Sequence, residues 1–108
     1  MQYYLNVLIA LENYFQIKNW KNLFLQGGCY WLADILQKGI SGSFLMINRI
    51  QEHCAVFFES SLYDITGIIS KKNFRRATDR DISFMKKNYC PQFDTLSLEQ
   101  YMKKCALL

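Results

Sequence analysis

Apolar residues recur every three to four positions in the first third of the chain. This spacing predicts an amphipathic helix over residues 3–17. A less regular helical stretch, residues 17–26, leads to a second stripe that predicts a helix over residues 29–38. Gly39 is expected to end this helix in the left-handed conformation.

The pattern then changes to short apolar runs that are typical of strands. Residues 44–50 and 53–58 predict two strands, and a third starts at residue 62 and continues to 65 or as far as 69. Only residues 59–61 can turn between the second and third strands, which implies a tight antiparallel hairpin. Both faces of this hairpin carry large apolar side chains, so we expect helices to cover both sides of the sheet.

A polar and basic stretch, residues 70–81, separates the strands from two more predicted helices. Thr78 or Asp79 is expected to cap the first of these helices, and Ser97 with Gln100 resembles a capping box that opens the second. The order of helices, small antiparallel sheet and helices predicts an α+β fold in which the N-terminal helices pack on the sheet.

Composition limits the class of protein. A chain of 108 residues, 51% of them hydrophobic and 16% aromatic, predicts one folded domain over residues 1–108. No apolar run approaches the ~20 residues of a membrane span, and no secretory signal is visible, so we expect no membrane partner and a cytoplasmic location. In that compartment we expect reduced thiols at all four cysteines: Cys29, Cys54, Cys90 and Cys105. With no C-x-x-C pair and a single histidine, no metal or other cofactor is expected.

Cys29 stands at the start of the second predicted helix, directly after Gly27 and Gly28. The helix dipole and the unpaired backbone N–H groups of a first turn favour a thiolate at this position. The two glycines would let a substrate backbone come close. A small core residue on a buried stripe explains Cys29 equally well.

His53 is the only histidine of the chain and opens a predicted strand. If the hairpin turns at residues 59–60, Ala55 pairs with Asp64, and His53 and Asp64 become diagonal neighbours on one face. A carboxylate among apolar residues is costly without a partner, and the imidazole could supply one. The alternative is that Asp64 caps the turn near Gly67 and that His53 is an ordinary strand-end residue.

A thiol, an imidazole and a carboxylate from three segments can perform nucleophilic catalysis. The imidazole of His53 would take the proton of Cys29, and Asp64 would fix the orientation of the ring. The thiolate would attack a carbonyl and form an acyl-enzyme, and Gln26 is a candidate oxyanion donor beside the Cys29 N–H. Gln26 is equally well explained as a solvated surface residue.

Three stretches carry a resemblance to a known group of enzymes. The helix start Gly-Gly-Cys-Tyr-Trp-Leu-Ala, the strand His-Cys-Ala-Val-Phe-Phe and the strand Leu-Tyr-Asp-Ile-Thr-Gly resemble the core of papain-like and transglutaminase-like cysteine hydrolases. They are most similar to the very small versions found in bacterial and phage genomes. The resemblance covers residues 27–67 and implies Cys29 as the nucleophile, His53 as the base and Asp64 as the orienting acid. The chain is much shorter than typical proteases of this kind.

Basic residues concentrate just before the first C-terminal helix, in a set we call the basic segment: Lys71, Lys72, Arg75, Arg76 and Arg80. Such a patch could bind nucleic acid or an acidic protein surface. A solvated face with no partner is the alternative, since the neighbouring aromatic residues are typical of core anchors and not of base-stacking platforms.

These observations support three functional hypotheses. The first is a small cysteine hydrolase or acyl-transfer enzyme that acts on an amide or isopeptide bond of a protein or peptide substrate. The second is a papain-like scaffold that binds a protein target with the triad not required, as in a phage-type, anti-CRISPR-like inhibitor of a bacterial defence system. The third is a basic nucleic-acid-binding module. The sequence names neither the substrate nor the partner.

Overall fold

A computed structural model describes the whole chain, residues 1–108. Its four α-helices are α1 (Gln2–Phe15), α2 (Cys29–Gly39), α3 (Asp79–Asn88) and α4 (Thr95–Lys104), and a short 3₁₀ helix covers Trp20–Phe24. Its five strands are β1 (Phe44–Asn48), β2 (His53–Phe58), β3 (Ser61–Asp64), β4 (Gly67–Ile69) and β5 (Arg75–Arg76). The predicted α+β class is confirmed, with helices before and after an antiparallel sheet.

The sheet has the strand order β4-β3-β2-β1-β5, so β2 lies at its centre. The β2–β3 connection is the predicted two-residue turn, residues 59–60, in which both residues have positive φ. Val56 pairs with Tyr63 across this hairpin. The next step of the same register places Asp64 opposite Ala55, as the turn position predicted.

Two details of the sheet differ from the prediction. The third strand does not continue to Ile69, because the chain reverses at residues 65–66 and returns as the separate strand β4. Gly67 enters β4 with φ of 110°, a conformation that glycine adopts without strain. The pattern also missed β5, whose two arginines pair with the edge of β1. Two polar residues carry no periodicity that would identify a strand.

The helices cover one face of the sheet only, which corrects the expectation that they would cover both. Val56 and Tyr63 on that face pack in one core cluster with residues of α1, α2 and α4. Ile47 and Cys54 on the same face join a second cluster with Cys29 from α2 and residues of α3. No helix of the chain has both the length and the apolar character needed to cross a membrane.

The opposite face is covered by side chains of the segment that leads into and out of β5. The Lys71 ammonium lies 5.4 Å from the centre of the Phe57 ring, and the Arg76 guanidinium lies 4.2 Å from that of Phe44. Cations with long aliphatic stems can cover aromatic rings while their charges stay in water. A polar segment can therefore cover an apolar face that the helices do not reach.

Gly39 does not take the left-handed conformation predicted for it. It is the last residue of α2, and the cap residue Ile40 is extended, with φ of −116°. A Cβ at Gly39 would lie 2.3 Å from ring atoms of Tyr3 in α1. Glycine is required here because helices α1 and α2 approach closely, not because the backbone turns.

Short polar side chains cap both C-terminal helices. Thr78 caps α3 in a reciprocal capping box with Asp81, which confirms one of the two predicted caps. The predicted start of the last helix was wrong: its cap is Asp94, whose carboxylate accepts from the Ser97 N–H and hydroxyl. Ser97 therefore lies inside the first turn of α4.

Candidate active site

Asp64 ends strand β3 and uses its two carboxylate oxygens for different partners. Oδ1 accepts hydrogen bonds from the backbone N–H of Thr66, at 2.7 Å, and from its hydroxyl. Oδ2 lies 2.9 Å from Nε2 of His53. The two interpretations of Asp64 therefore both hold, because one oxygen caps the β3–β4 turn and the other contacts the imidazole.

His53 pairs with Asp64 and packs against Phe74. It begins β2, its side chain is 12% exposed, and the ring of Phe74 packs edge-on against it with centroids 6.1 Å apart. A carboxylate only accepts hydrogen bonds, so Nε2 must carry the hydrogen, which leaves Nδ1 for a second partner.

Cys29 is the first residue of α2 and is 2% exposed. Burial lowers the pKa of His53, but the hydrogen bond with Asp64 and the nearby thiol of Cys29, together with their charges, outweigh burial and raise this pKa to about 9. Burial raises the pKa of Asp64, but hydrogen bonds from His53 and Thr66 lower it further, to below its ordinary value. Cys29 and Asp64 line the same narrow gap between α2 and the sheet, and Asp64 bonds His53, so the three predicted side chains lie in one region of the structure.

Two cavities flank this group. The first has a volume of about 330 Å³ and is lined by His53 and Asp64 together with Lys72 and Phe74. The second, about 350 Å³, lies on the other side of Gln51, which lines both. Cys29 lines neither of these two cavities and lines only the narrow gap that it shares with Asp64.

Gln26, the predicted oxyanion residue, is exposed and lines the second cavity with Gly27 and Tyr89. Its backbone carbonyl accepts from the Cys29 N–H at 3.2 Å, so this N–H is already engaged. The next N–H groups of the turn, those of Tyr30 and Trp31, make no hydrogen bond within the chain. This is normal for the start of a helix.

The two glycines before Cys29 are required by the packing of the chain itself. A Cβ at Gly27 would lie 2.0 Å from the carbonyl oxygen of Cys90. A Cβ at Gly28 would lie 2.4 Å from the carbonyl oxygen of Leu23. The glycines therefore let neighbouring segments press against the start of α2 and fix the position of Cys29.

The basic segment is not a uniform free patch. Arg75 donates to both oxygens of Asp81, at 2.5 and 2.9 Å, while Lys71 and Arg76 lie over aromatic rings of the sheet. Lys72 and Arg80 are exposed and make no ion pair within the chain. Three of the five basic side chains thus make contacts within the chain, which a count of basic residues in the sequence could not show.

Sequence reasoning missed two further features of the site. Phe74, interpreted as a core anchor, packs instead against His53 on the face that the helices leave open. Tyr30 and Tyr89 each bury a hydroxyl oxygen without any hydrogen-bond partner, in the same core cluster as Cys29. A tyrosine in an apolar stripe gives no signal in the sequence that its hydroxyl will lack a hydrogen-bond partner.

No group of three or more His, Cys, Asp or Glu side chains is arranged to hold a metal ion.

Fold and site together define a small α+β protein in which a buried thiol begins helix α2 and a buried imidazole–carboxylate pair joins the neighbouring strands β2 and β3. The chain belongs to the Phage YunG-like protein family, whose model matches residues 7–103. This match includes Cys29, His53 and Asp64, and it agrees with the expectation of a phage-type protein. Neither the curated proteins nor the solved structures gave a significant match.

Proposed function

We propose that this protein is a small cysteine hydrolase or acyl-transfer enzyme of the papain-like or transglutaminase-like kind. Cys29 is the nucleophile, His53 the general base and Asp64 the residue that orients the imidazole. One observation carries the proposal: the single histidine of the chain bonds, at 2.9 Å, a buried carboxylate that lines the same narrow gap as Cys29. A thiol, a base and an orienting group in this relation form the triad of nucleophilic catalysis.

The order of proton transfers follows from this arrangement. Asp64 holds the hydrogen on Nε2 of His53, so Nδ1 is free to take the proton of Cys29. The thiolate attacks a carbonyl carbon, and the imidazolium then gives its proton to the leaving amine. Water or a second amine attacks the resulting thioester and releases Cys29.

The dimensions of the cavities limit what can enter. At about 330 and 350 Å³ they lie at the lower end of ligand sites and would admit one side chain or a short isopeptide. We therefore propose a side-chain amide or isopeptide of a protein substrate in preference to an extended peptide. Because Cys29 is 2% exposed, a substrate reaches its sulfur only if neighbouring side chains move aside.

Selective alkylation of Cys29 tests the proposal. In a Cys90→Ser/Cys105→Ser variant the two exposed thiols are absent, and the remaining one besides Cys29 is Cys54, which is buried and whose pKa burial raises. Iodoacetamide should modify Cys29 at pH 6, where an ordinary thiol of pKa ~8.5 reacts little. Peptide mass spectrometry measures the rate. Replacing His53 by Gln should remove the reaction at pH 6, and unchanged kinetics in that variant would overturn the proposal.

The burial of Cys29 favours a second candidate, a phage-type inhibitor that binds a host defence protein and does not need the triad. Its free cations are Lys72, beside the His53 cavity, and Arg80 at the start of α3. Plating efficiency of a phage on a defence-proficient host that expresses the protein separates the candidates. Under this second proposal, Cys29→Ala retains protection and Lys72→Glu/Arg80→Glu loses it, whereas an enzyme gives the reverse result.

A further inference from the structure

The two tyrosines with unpaired hydroxyls differ in their position relative to Cys29. Buried donors without a partner are rare in folded proteins and call for an explanation. Tyr89 lines the cavity that is also lined by Gln26 and Gly27, just before Cys29 in the chain, whereas Tyr30 lines no cavity. Tyr89 is therefore the one whose side chain borders a space that a substrate can occupy, next to the start of α2.

The Tyr89 side chain is held in place before any substrate binds. It is 8% exposed, its ring packs edge-on against Phe84, and its backbone N–H caps α3 by donating to Met85. Gln26 lies in the same cavity on the solvent side, with an exposed side chain that would have to be ordered. A donor fixed in a water-poor site stabilises a developing negative charge better than a mobile, solvated donor.

The hydroxyl also stays protonated at neutral pH. Burial raises the pKa of Tyr89 to about 12, and the nearby Cys29 and Glu52 add to this effect. The group can therefore donate a hydrogen bond throughout the range in which a cysteine–histidine pair would work.

We infer that Tyr89, which lines the same cavity as Gln26 and Glu52, is an oxyanion donor for acyl transfer to Cys29. This inference rests on the proposed function. The sulfur lone pair forms the C–S bond, and the π electrons of the carbonyl move to its oxygen, which accepts a hydrogen bond from Tyr89 without taking the proton. When the electron pair returns, the bond to the leaving group breaks and the hydroxyl is unpaired again.

The experiment compares two reactions of the same sulfur. Acylation by p-nitrophenyl acetate passes through an oxyanion, whereas alkylation by iodoacetamide displaces iodide from a saturated carbon and forms none. In the Cys90→Ser/Cys105→Ser protein, Tyr89→Phe should slow release of p-nitrophenolate about 100-fold and leave the alkylation rate unchanged. The substitution removes only an oxygen that bonds nothing, so the fold should persist, which urea unfolding can verify.

Tyr30→Phe is the matched control, since it removes the other unpaired hydroxyl of the same cluster and should change neither rate. Acylation that survives Tyr89→Phe within twofold overturns this inference and leaves the proposed function intact. A parallel loss of alkylation and acylation also overturns it, because Tyr89 would then act on the sulfur and not on the oxyanion. If Cys29 of the parent protein neither alkylates selectively nor acylates, the proposed function fails, and this inference fails with it.

Discussion

Two buried carboxylates, Asp64 and Asp81, each pair with a cationic side chain, yet their surroundings differ. Asp81 is 6% exposed, accepts from Arg75 through both oxygens and also accepts from the backbone and hydroxyl of Thr78. Asp64 is 7% exposed and divides its oxygens between His53 and the β3–β4 turn. Hydrogen bonds lower the pKa of both carboxyl groups.

The difference lies in the cation. A guanidinium stays protonated at every accessible pH, so the Arg75–Asp81 pair can only hold β5 against the start of α3. An imidazole gains and loses a proton near neutrality, and His53 also interacts with a thiol. The same kind of ion pair therefore serves the fold in one region and can transfer a proton in the other.

We expect the largest effect from removing the negative charge of Asp64, which tests whether this carboxylate, unlike Asp81, controls the reactivity of Cys29. Asp64→Asn keeps the shape and the contact with Thr66 but removes the charge that holds His53 protonated. We expect alkylation of Cys29 at pH 6 to slow by about 100-fold, since an unoriented, less basic imidazole no longer stabilises the thiolate. Peptide mass spectrometry measures the rate in the Cys90→Ser/Cys105→Ser background.

Asp81→Asn is the matched control for that experiment. It removes the same charge from an equally buried carboxylate that does not contact Cys29 or His53. Its alkylation rate should equal that of the parent protein. Equal losses in the two variants would mean that a general loss of stability, and not the orientation of His53, controls the reactivity of the thiol.

The second effect is a pH dependence of stability that only the His53 pair produces. In Cys29→Ala no thiol exchanges protons with the imidazole, so the titration of the pair is isolated. Asp64 alone then raises the pKa of His53, to a folded-state value below the 9 of the parent protein, so the stabilisation is fully present below pH 6.5 and is lost as the pH rises through that value. We expect a decrease of about 1 kcal/mol in the free energy of unfolding. Urea unfolding at pH 6–9 measures it, and Cys29→Ala/His53→Gln should lack this decrease.

The third effect is structural. Asp81→Ala removes the capping box of α3 and the anchor of Arg75, so the free energy of unfolding should fall by about 1 kcal/mol at neutral pH. Because the cation involved does not titrate, the loss should be the same at pH 6 and pH 9. A loss that depends on pH across this range would contradict the purely structural role of this pair.

The smallest effect concerns Lys72 and Arg80, the two cations of the basic segment that have no partner within the chain. Lys72→Gln and Arg80→Gln should each change the free energy of unfolding by less than about 0.5 kcal/mol. Arg75→Gln should destabilise the protein more than either, because it strands a buried carboxylate. Chemical denaturation of the three variants tests this ranking.

The parts of the molecule that follow from local pattern could be predicted. The helix that begins at Cys29 has strong periodicity, and the strand that begins at His53 is a short apolar run. The short turn at residues 59–60 fixes the register that makes His53 and Asp64 neighbours. Because the chain has only one histidine, His53 was the only imidazole that could be predicted to contact Asp64 or Cys29.

The parts that depend on long-range packing could not be predicted. Gly27 and Gly39 are required by the close approach of Cys90 and Tyr3, which are distant in sequence. The contacts of Arg75 and Phe74 arise because β5 joins the sheet edge and draws its segment across the open face. Such contacts depend on three-dimensional packing and leave no local pattern.

NMR titration of His53 shows directly whether its imidazole interacts with both the Cys29 thiol and the Asp64 carboxylate. The chain has one histidine, so its imidazole resonance can be followed alone. We expect the titration of His53 to have its midpoint near pH 9 in the parent protein, and this midpoint to shift toward 6.5 in both Cys29→Ala and Asp64→Asn. A parent midpoint near 6.5, or a midpoint that Cys29→Ala leaves unchanged, would contradict a thiol–imidazole–carboxylate group at this site.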